Sequence, residues 1–185
     1  MAREKRRAYR DQDYWGKPIP GFGDPAARIL VVGLAPGAHG SNRTGRAFTG
    51  DGSGAFLYPA LFRAGFANQP ESRVRGDGLA LNDLYITAVA RCAPPANKPL
   101  PEELENCQPF LVQELALLRP RVIVVLGKIA FDRILRQHPG NGTLKFGHGA
   151  EYRLGEYDRW LLASYHPSLQ NTQTGKLTPV MFDAI

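Results

Sequence analysis

Four short apolar runs constrain this fold more than any other feature of the chain: Arg28 to Gly33 (RILVVG), Leu84 to Val89 (LYITAV), Arg121 to Gly127 (RVIVVLG) and Trp160 to Tyr165 (WLLASY). Each is rich in β-formers and nearly unbroken, the pattern of a strand buried on both faces. Helical stretches lie between them. Ser53 to Ala64 (SGAFLYPALFRA) has apolar residues at helical spacing, with Pro59 expected to distort or delimit it. Pro101 to Leu118 opens Pro-Glu-Glu, which suits a helix N-terminus, and Lys128 to Gln137 follows the third run directly. Strands alternating with helices predict parallel pairing and right-handed crossovers. The expected fold class is therefore α/β: a three-layer α/β/α sandwich with a small central parallel sheet. No internal repeat or second core interrupts residues 1–185, so a single domain is expected.

A chain of 185 residues is long enough to bury about 70% of its unfolded surface without staples. No apolar run approaches the roughly 20 residues of a membrane span, and no signal-peptide pattern opens the sequence. A soluble, cytoplasmic protein is expected. The net charge of +6 leans toward an anionic partner, and Arg3, Lys5, Arg6, Arg7 and Arg10 concentrate it at the start.

In a parallel sheet, ligands bind at the carboxyl ends of the strands. Three unusual loops follow strands here, so their polar groups should face one cleft. The first, GLAPGAHGSNRTGRAFTGD, is too rich in glycine for a helix. It reads as a ligand-binding loop or as an irregular connection, and it lacks the Gly-Lys-Ser/Thr ending of a nucleotide P-loop. Its Asp51 also suits a helix N-cap. The second, RCAPPANKPLPEE, is stiffened by prolines and carries Asn97, a turn residue or a hydrogen-bonding group. The third, SYHPSLQNTQTGKLT, places His166 just past the last strand, followed by small neutral donors suited to a nucleic-acid backbone or to an ordinary surface loop. Cys92 and Cys107 stand alone, with no Cys-x-x-Cys in the chain, and two isolated cysteines usually remain free thiols.

Together these loops resemble the uracil-DNA glycosylase superfamily, most closely its family 5. The resemblance runs from YWGKPIPGFGDP through GLAPGAHGSNRTGRAFTGD and RCAPPANKP to SYHPSLQNTQTGKLT, nearly the whole chain in order. It implies a uracil-DNA glycosylase: a hydrolase that cleaves the N-glycosidic bond of uracil in DNA and so initiates base excision repair. It further implies double-stranded DNA as partner, no membrane, a monomer, and a location with the nucleoid. His166 matches the histidine that hydrogen-bonds the departing base, while Asp51 and Asn97 match the residues placed near the catalytic water. Phe48 matches the aromatic on which the extruded base stacks. The resemblance places Gly33, Ala35, Gly37, His39 and Ala88 around the base, and Ser168, Gln170 and Asn171 in the segment that enters the groove. Where related families hold a polar residue near the water, this chain has Leu34, Ala35 and Pro36. Where they hold an asparagine that reads the edge of uracil, it has Ala88. A missing reader removes the penalty against other bases, so hypoxanthine and further deaminated bases are expected substrates.

The family holds a 4Fe-4S cluster on four cysteines. Cys92 and Cys107 match one pair, and the resemblance places the other pair in a segment upstream of residue 1, as though the start were misassigned or the chain a fragment. The rival expectation is a DNA-binding remnant that lacks an intact cluster and no longer cleaves.

Overall fold

The computed structural model describes residues 5–155 and 158–185. Arg3, one of the basic residues singled out above, lies outside them. In chain order the elements are β1 (Phe22–Gly23), β2 (Ile29–Gly33), α1 (Ser41–Thr44), α2 (Gly52–Arg63), β3 (Leu84–Ala88) and α3 (Pro101–Leu118). There follow β4 (Val122–Leu126), α4 (Lys128–Leu135), β5 (Ala150–Leu154), β6 (Arg159–Ser164), α5 (Leu169–Gln173) and α6 (Pro179–Asp183). One six-stranded sheet runs in the order β1-β3-β2-β4-β6-β5.

The four predicted strands form its parallel centre, β3-β2-β4-β6. The sheet as a whole is mixed, because β1 pairs antiparallel with β3 and β5 antiparallel with β6. Both edges escaped the sequence reading for physical reasons. A two-residue strand in a Gly/Pro-rich stretch has no periodicity to detect, and β5 alternates half-buried with exposed residues instead of forming an apolar run. The link from β5 to β6 is also too short for a crossover, which dictates a hairpin.

Side-chain alternation sorts the core onto two faces. Leu30 and Val32 of β2, with Ile123 and Val125 of β4, pack with Leu111 and Leu115 of α3 and with Phe131 and Ile134 of α4. Val31 of β2, with Leu84 and Ile86 of β3, points the other way, onto Leu57, Tyr58 and Leu61 of α2. A period of two along each strand thus makes the three layers. The proline in α2 does not delimit it: the helix continues through Pro59 to Arg63, giving up only the bond that residue 59 would donate. α3 opens as the sequence suggested, with the Leu100 N–H donating to the Glu103 carboxylate at 2.7 Å. α4 stops two residues before the expected end, at Leu135.

A buried ion pair fixes the first loop against the segment that leads into β3. Arg46, 5% exposed, forks onto both oxygens of Asp77 at 2.8 and 2.9 Å and also donates to Thr49 Oγ1 and Ser72 Oγ. Asp77 accepts further from the backbone N–H groups of Arg73, Val74 and Leu79, and the Arg46 guanidinium holds its carboxyl well below the usual range. Removing one partner strands the other away from water. Asp77→Ala is expected to cost about 3 kcal/mol in urea denaturation, and a paired Arg46→Met/Asp77→Leu replacement should recover part of that loss. A cost under about 1 kcal/mol for Asp77→Ala would mean that Arg46 is adequately solvated without its partner.

Candidate active site

The parallel strands end at one edge of the sheet, and a cleft of about 730 Å³ opens there, walled by all three of the loops singled out from sequence. The first loop contributes Gly33, Ala35, Gly37, His39, Phe48 and Asp51. Asn97 comes from the second, His166, Ser168 and Gln170 come from the third, and Ala88, the last residue of β3, lies at the strand end itself. Asn171 is the exception. It does not wall the cleft; its Nδ2 donates to the His166 carbonyl at 2.8 Å, so it holds the histidine's backbone from behind. The third segment is also not a plain loop: α5 begins at Leu169, capped by the Ser168 hydroxyl, which accepts from the Asn171 N–H.

Asp51 does both things its sequence context allowed. It is the N-cap of α2, with Oδ1 accepting from the Gly54 N–H at 3.0 Å, and it walls the cleft. The surrounding glycines explain how a carboxylate fits there. A Cβ at Gly40 would overlap the Asp51 carboxylate, and one at Gly37 would lie 2.9 Å from Oδ2. A Cβ at Gly33 would lie 2.9 Å from the Phe48 ring. The resemblance places Gly33 and Gly37 around the base; in the structure the loop's own Phe48 and Asp51 side chains pack against them. Burial raises the Asp51 proton affinity, opposed by the backbone donors Gly54 and Ser53 and by the charge of Arg43.

Phe48 and His166 face each other with ring centroids 6.0 Å apart and planes tilted by 30°. Burial alone pushes the His166 imidazole down to about 4, so it is neutral near pH 7 and one ring nitrogen carries a hydrogen to donate. Asn97 sits in a short turn, Pro95–Asn97, in which Ala96 and Asn97 both adopt left-handed backbone, at φ 51° and 56°. Asparagine tolerates that conformation and alanine does so at a cost, so the adjoining prolines hold the turn in a strained shape.

Several supporting residues went unnoticed in the sequence. Arg43 donates from Nη2 to the Gly50 carbonyl beside Asp51 and from Nε to the His39 carbonyl, bracing the first loop. Beneath Ala88, Glu114 accepts from Thr87 Oγ1 at 2.6 Å and pairs with Arg91 at 2.5 Å. Charged residues on helices and loops give no sequence signal for partners this distant in the chain.

Cys92 is exposed and Cys107 half-buried, and neither walls the cleft. The two sulfurs feel one another, and burial raises the Cys92 thiol. Among the described residues no group of three or more His, Cys, Asp or Glu side chains could hold a metal ion, so a four-ligand cluster does not fit on these residues alone.

A parallel-centred α/β sheet with a carboxylate, a neutral imidazole and an aromatic ring around one cleft at the strand ends is the setting that the family comparison fits. The profile of the Uracil DNA glycosylase superfamily matches residues 20–185, and the chain belongs to that superfamily. Among its relatives are type-5 uracil-DNA glycosylases. That of Thermus thermophilus is 58% identical over 181 residues, covering 96% of this chain and 81% of the relative. The Mycobacterium tuberculosis protein is 53% identical over 98% of this chain and 69% of its own length. The Pyrobaculum aerophilum protein is 47% identical over 93% and 75%.

The depressed His166 pKa ties stability to pH. The unfolded imidazole takes a proton near 6.5 and the folded one only near 4, so stability is complete above about 6.5 and declines as pH falls toward 4. His166→Gln should therefore narrow the drop in melting temperature between pH 7.5 and pH 5. An unchanged drop would show that His166 titrates normally.

Proposed function

We propose that this protein hydrolyses the N-glycosidic bond of uracil in DNA, the first step of base excision repair. The observation that carries the proposal is the meeting of Asp51, Phe48 and His166 around one cleft at the sheet edge. The nucleotide must leave the duplex to reach it, at a cost of a few kcal/mol. Stacking on Phe48 offsets part of that cost. As the bond from C1′ to the base breaks, the electron pair leaves with the base and positive charge develops on the sugar. The neutral His166 imidazole donates a hydrogen bond to the base oxygen, where negative charge gathers. Asp51, its proton affinity raised by burial, stabilises the sugar cation and takes a proton from the attacking water. The water's oxygen bonds C1′ and leaves an abasic site. Asn97, on its rigid turn, orients that water.

No polar side chain occupies the Ala88 position to read the base edge, which supports acceptance of hypoxanthine as well as uracil. Double-stranded DNA and a monomeric enzyme complete this reading. As for the 4Fe-4S cluster, Cys92 and Cys107 are proposed as two of its thiolate ligands. Iron and acid-labile sulfide in the purified protein, at about four irons per chain, would support this, and their absence would refute it.

Duplex oligonucleotides carrying uracil, hypoxanthine or thymine, treated with enzyme and then alkali, test the activity directly. Strand breaks at uracil are expected; binding without breaks would indicate a non-catalytic DNA-binding protein. Asparagine preserves the N-cap, so Asp51→Asn should keep the wild-type melting temperature while lowering single-turnover excision roughly 10²-fold or more. Asp51→Ala should lose the same activity and about 1 kcal/mol of stability besides. Full activity in Asp51→Asn would remove the carboxylate from the chemistry.

A further inference from the structure

The start of the described chain is fastened to the cleft. Trp15 and Gly16 donate their backbone N–H groups to the carbonyls of Arg43 and Asn42. The Tyr14 hydroxyl and His39 Nδ1 share a 2.9 Å hydrogen bond. The Arg43 guanidinium lies 4.2 Å from the centre of the Tyr9 ring and donates from Nη1 to Gln12 at 2.8 Å. Lys5 Nζ donates to the Gln12 carbonyl at 2.6 Å and so closes the segment on itself. The loop that carries Asp51 therefore also carries this basic segment.

That docking sets two residues at the cleft. Arg6 and Tyr9 both wall it, Arg6 just before the short turn Arg7–Tyr9 and Tyr9 at its end. Tyr9 also walls an adjoining groove of about 610 Å³, which shares Gly50, Asp51 and Gly52 with the cleft and continues to Pro59 and Arg73. Arg6 is exposed, and among the described residues no carboxylate forms an ion pair with it. Its charge is felt at His39 on the first loop, where with Arg43 it adds to the effect of burial in lowering the imidazole pKa. Arg7, its neighbour on the same turn, does not wall the cleft.

We propose that the Arg6–Tyr9 turn is a phosphate-gripping arm: Arg6 takes the DNA backbone phosphate beside the extruded nucleotide, and Tyr9, stacked under Arg43, holds the arm to the first loop. This rests on the uracil-excision reading, because a nucleotide drawn into the cleft leaves its flanking phosphates at the rim. An unpaired guanidinium there forms a charge-assisted contact and releases condensed counterions. The part of the third loop that walls the cleft, His166 and Ser168 to Gln170, carries no lysine or arginine, so the arm adds a salt-sensitive contact that this part cannot supply.

Arg6 and Arg7 allow a matched test, since each removes one charge from the same turn. The probe is a duplex carrying one 2′-fluoro-2′-deoxyuridine, which resists cleavage, titrated from about 50 to 200 mM salt. Arg6→Ala should weaken binding roughly tenfold and lower the slope of log affinity against log salt by about 0.9, the effect of one lost phosphate contact. Arg7→Ala should leave both near wild type. Equal effects from the two variants, or wild-type binding by Arg6→Ala, would overturn the arm and leave only diffuse attraction. The wild-type protein is assayed in parallel for uracil release from the unmodified duplex. If it releases none, the excision reading fails and takes the arm with it; if it releases uracil while Arg6→Ala binds normally, the arm alone fails.

Discussion

The hydrogen bond from the Gly54 N–H to Asp51 Oδ1 joins the start of α2 to the loop that leaves β2, and much of the site depends on that junction. One carboxylate oxygen satisfies a backbone donor that the first turn of the helix would otherwise leave unpaired. The other is directed toward Gly37 and Gly40, where any side chain would crowd it. Gly54 is under the same constraint, since a Cβ there would overlap the Phe48 carbonyl. The aromatic ring, the carboxylate and the helix start thus form one interlocked unit. Capping and chemistry are not rival explanations of Asp51: the cap is what holds the carboxylate still.

Around that unit the protein buries two charged clusters, each spanning parts of the chain that are far apart in sequence. Arg46 and Asp77 tie the first loop to the approach to β3, and Arg91, Glu114 and Thr87 tie the end of β3 to α3. Buried ion pairs add little net stability compared with apolar packing, because desolvation offsets most of the attraction. Their contribution here is geometric. A guanidinium forked onto a carboxylate leaves few alternative positions for the loops that carry it, and a base pocket loses its discrimination if its walls shift by about an ångström.

The parallel centre of the sheet was legible in the sequence because strands buried on both faces are forced to be continuously apolar, as in RILVVG and RVIVVLG. The convergence of the three loops that carry Asp51, Asn97 and His166 followed from topology, since each loop leaves a parallel strand at the same edge, whereas the choice of those three residues came from the resemblance. What stayed illegible was anything set by contact instead of periodicity. β5, with its half-solvated AEYRL, carries no apolar stripe. Asn171 has the same composition-level signature as its neighbours, yet it turns back to the His166 carbonyl instead of facing the cleft. The glycines of the first loop mark close approach, but which partner approaches is decided by side chains folded against them, and no spacing rule reveals that. The role of Arg43 as a hub is invisible for the same reason, since its partners range from Tyr9 to Gly50.

One physical cause acts on both titratable groups of the cleft. Withdrawal from water disfavours charge, so it lowers the basicity of His166 and raises that of Asp51. The imidazole becomes a neutral donor that need not first lose a proton, and the carboxylate becomes a better acceptor from water than one in solvent. Both effects suit departure of an anionic base followed by capture of a sugar cation. Leu34, Ala35 and Ala88 line the same cleft, and none of the three offers a side-chain hydrogen bond. A polar side chain in place of Ala88 would bring a hydrogen-bonding group into a cleft whose desolvation sets the charge state of both titratable groups.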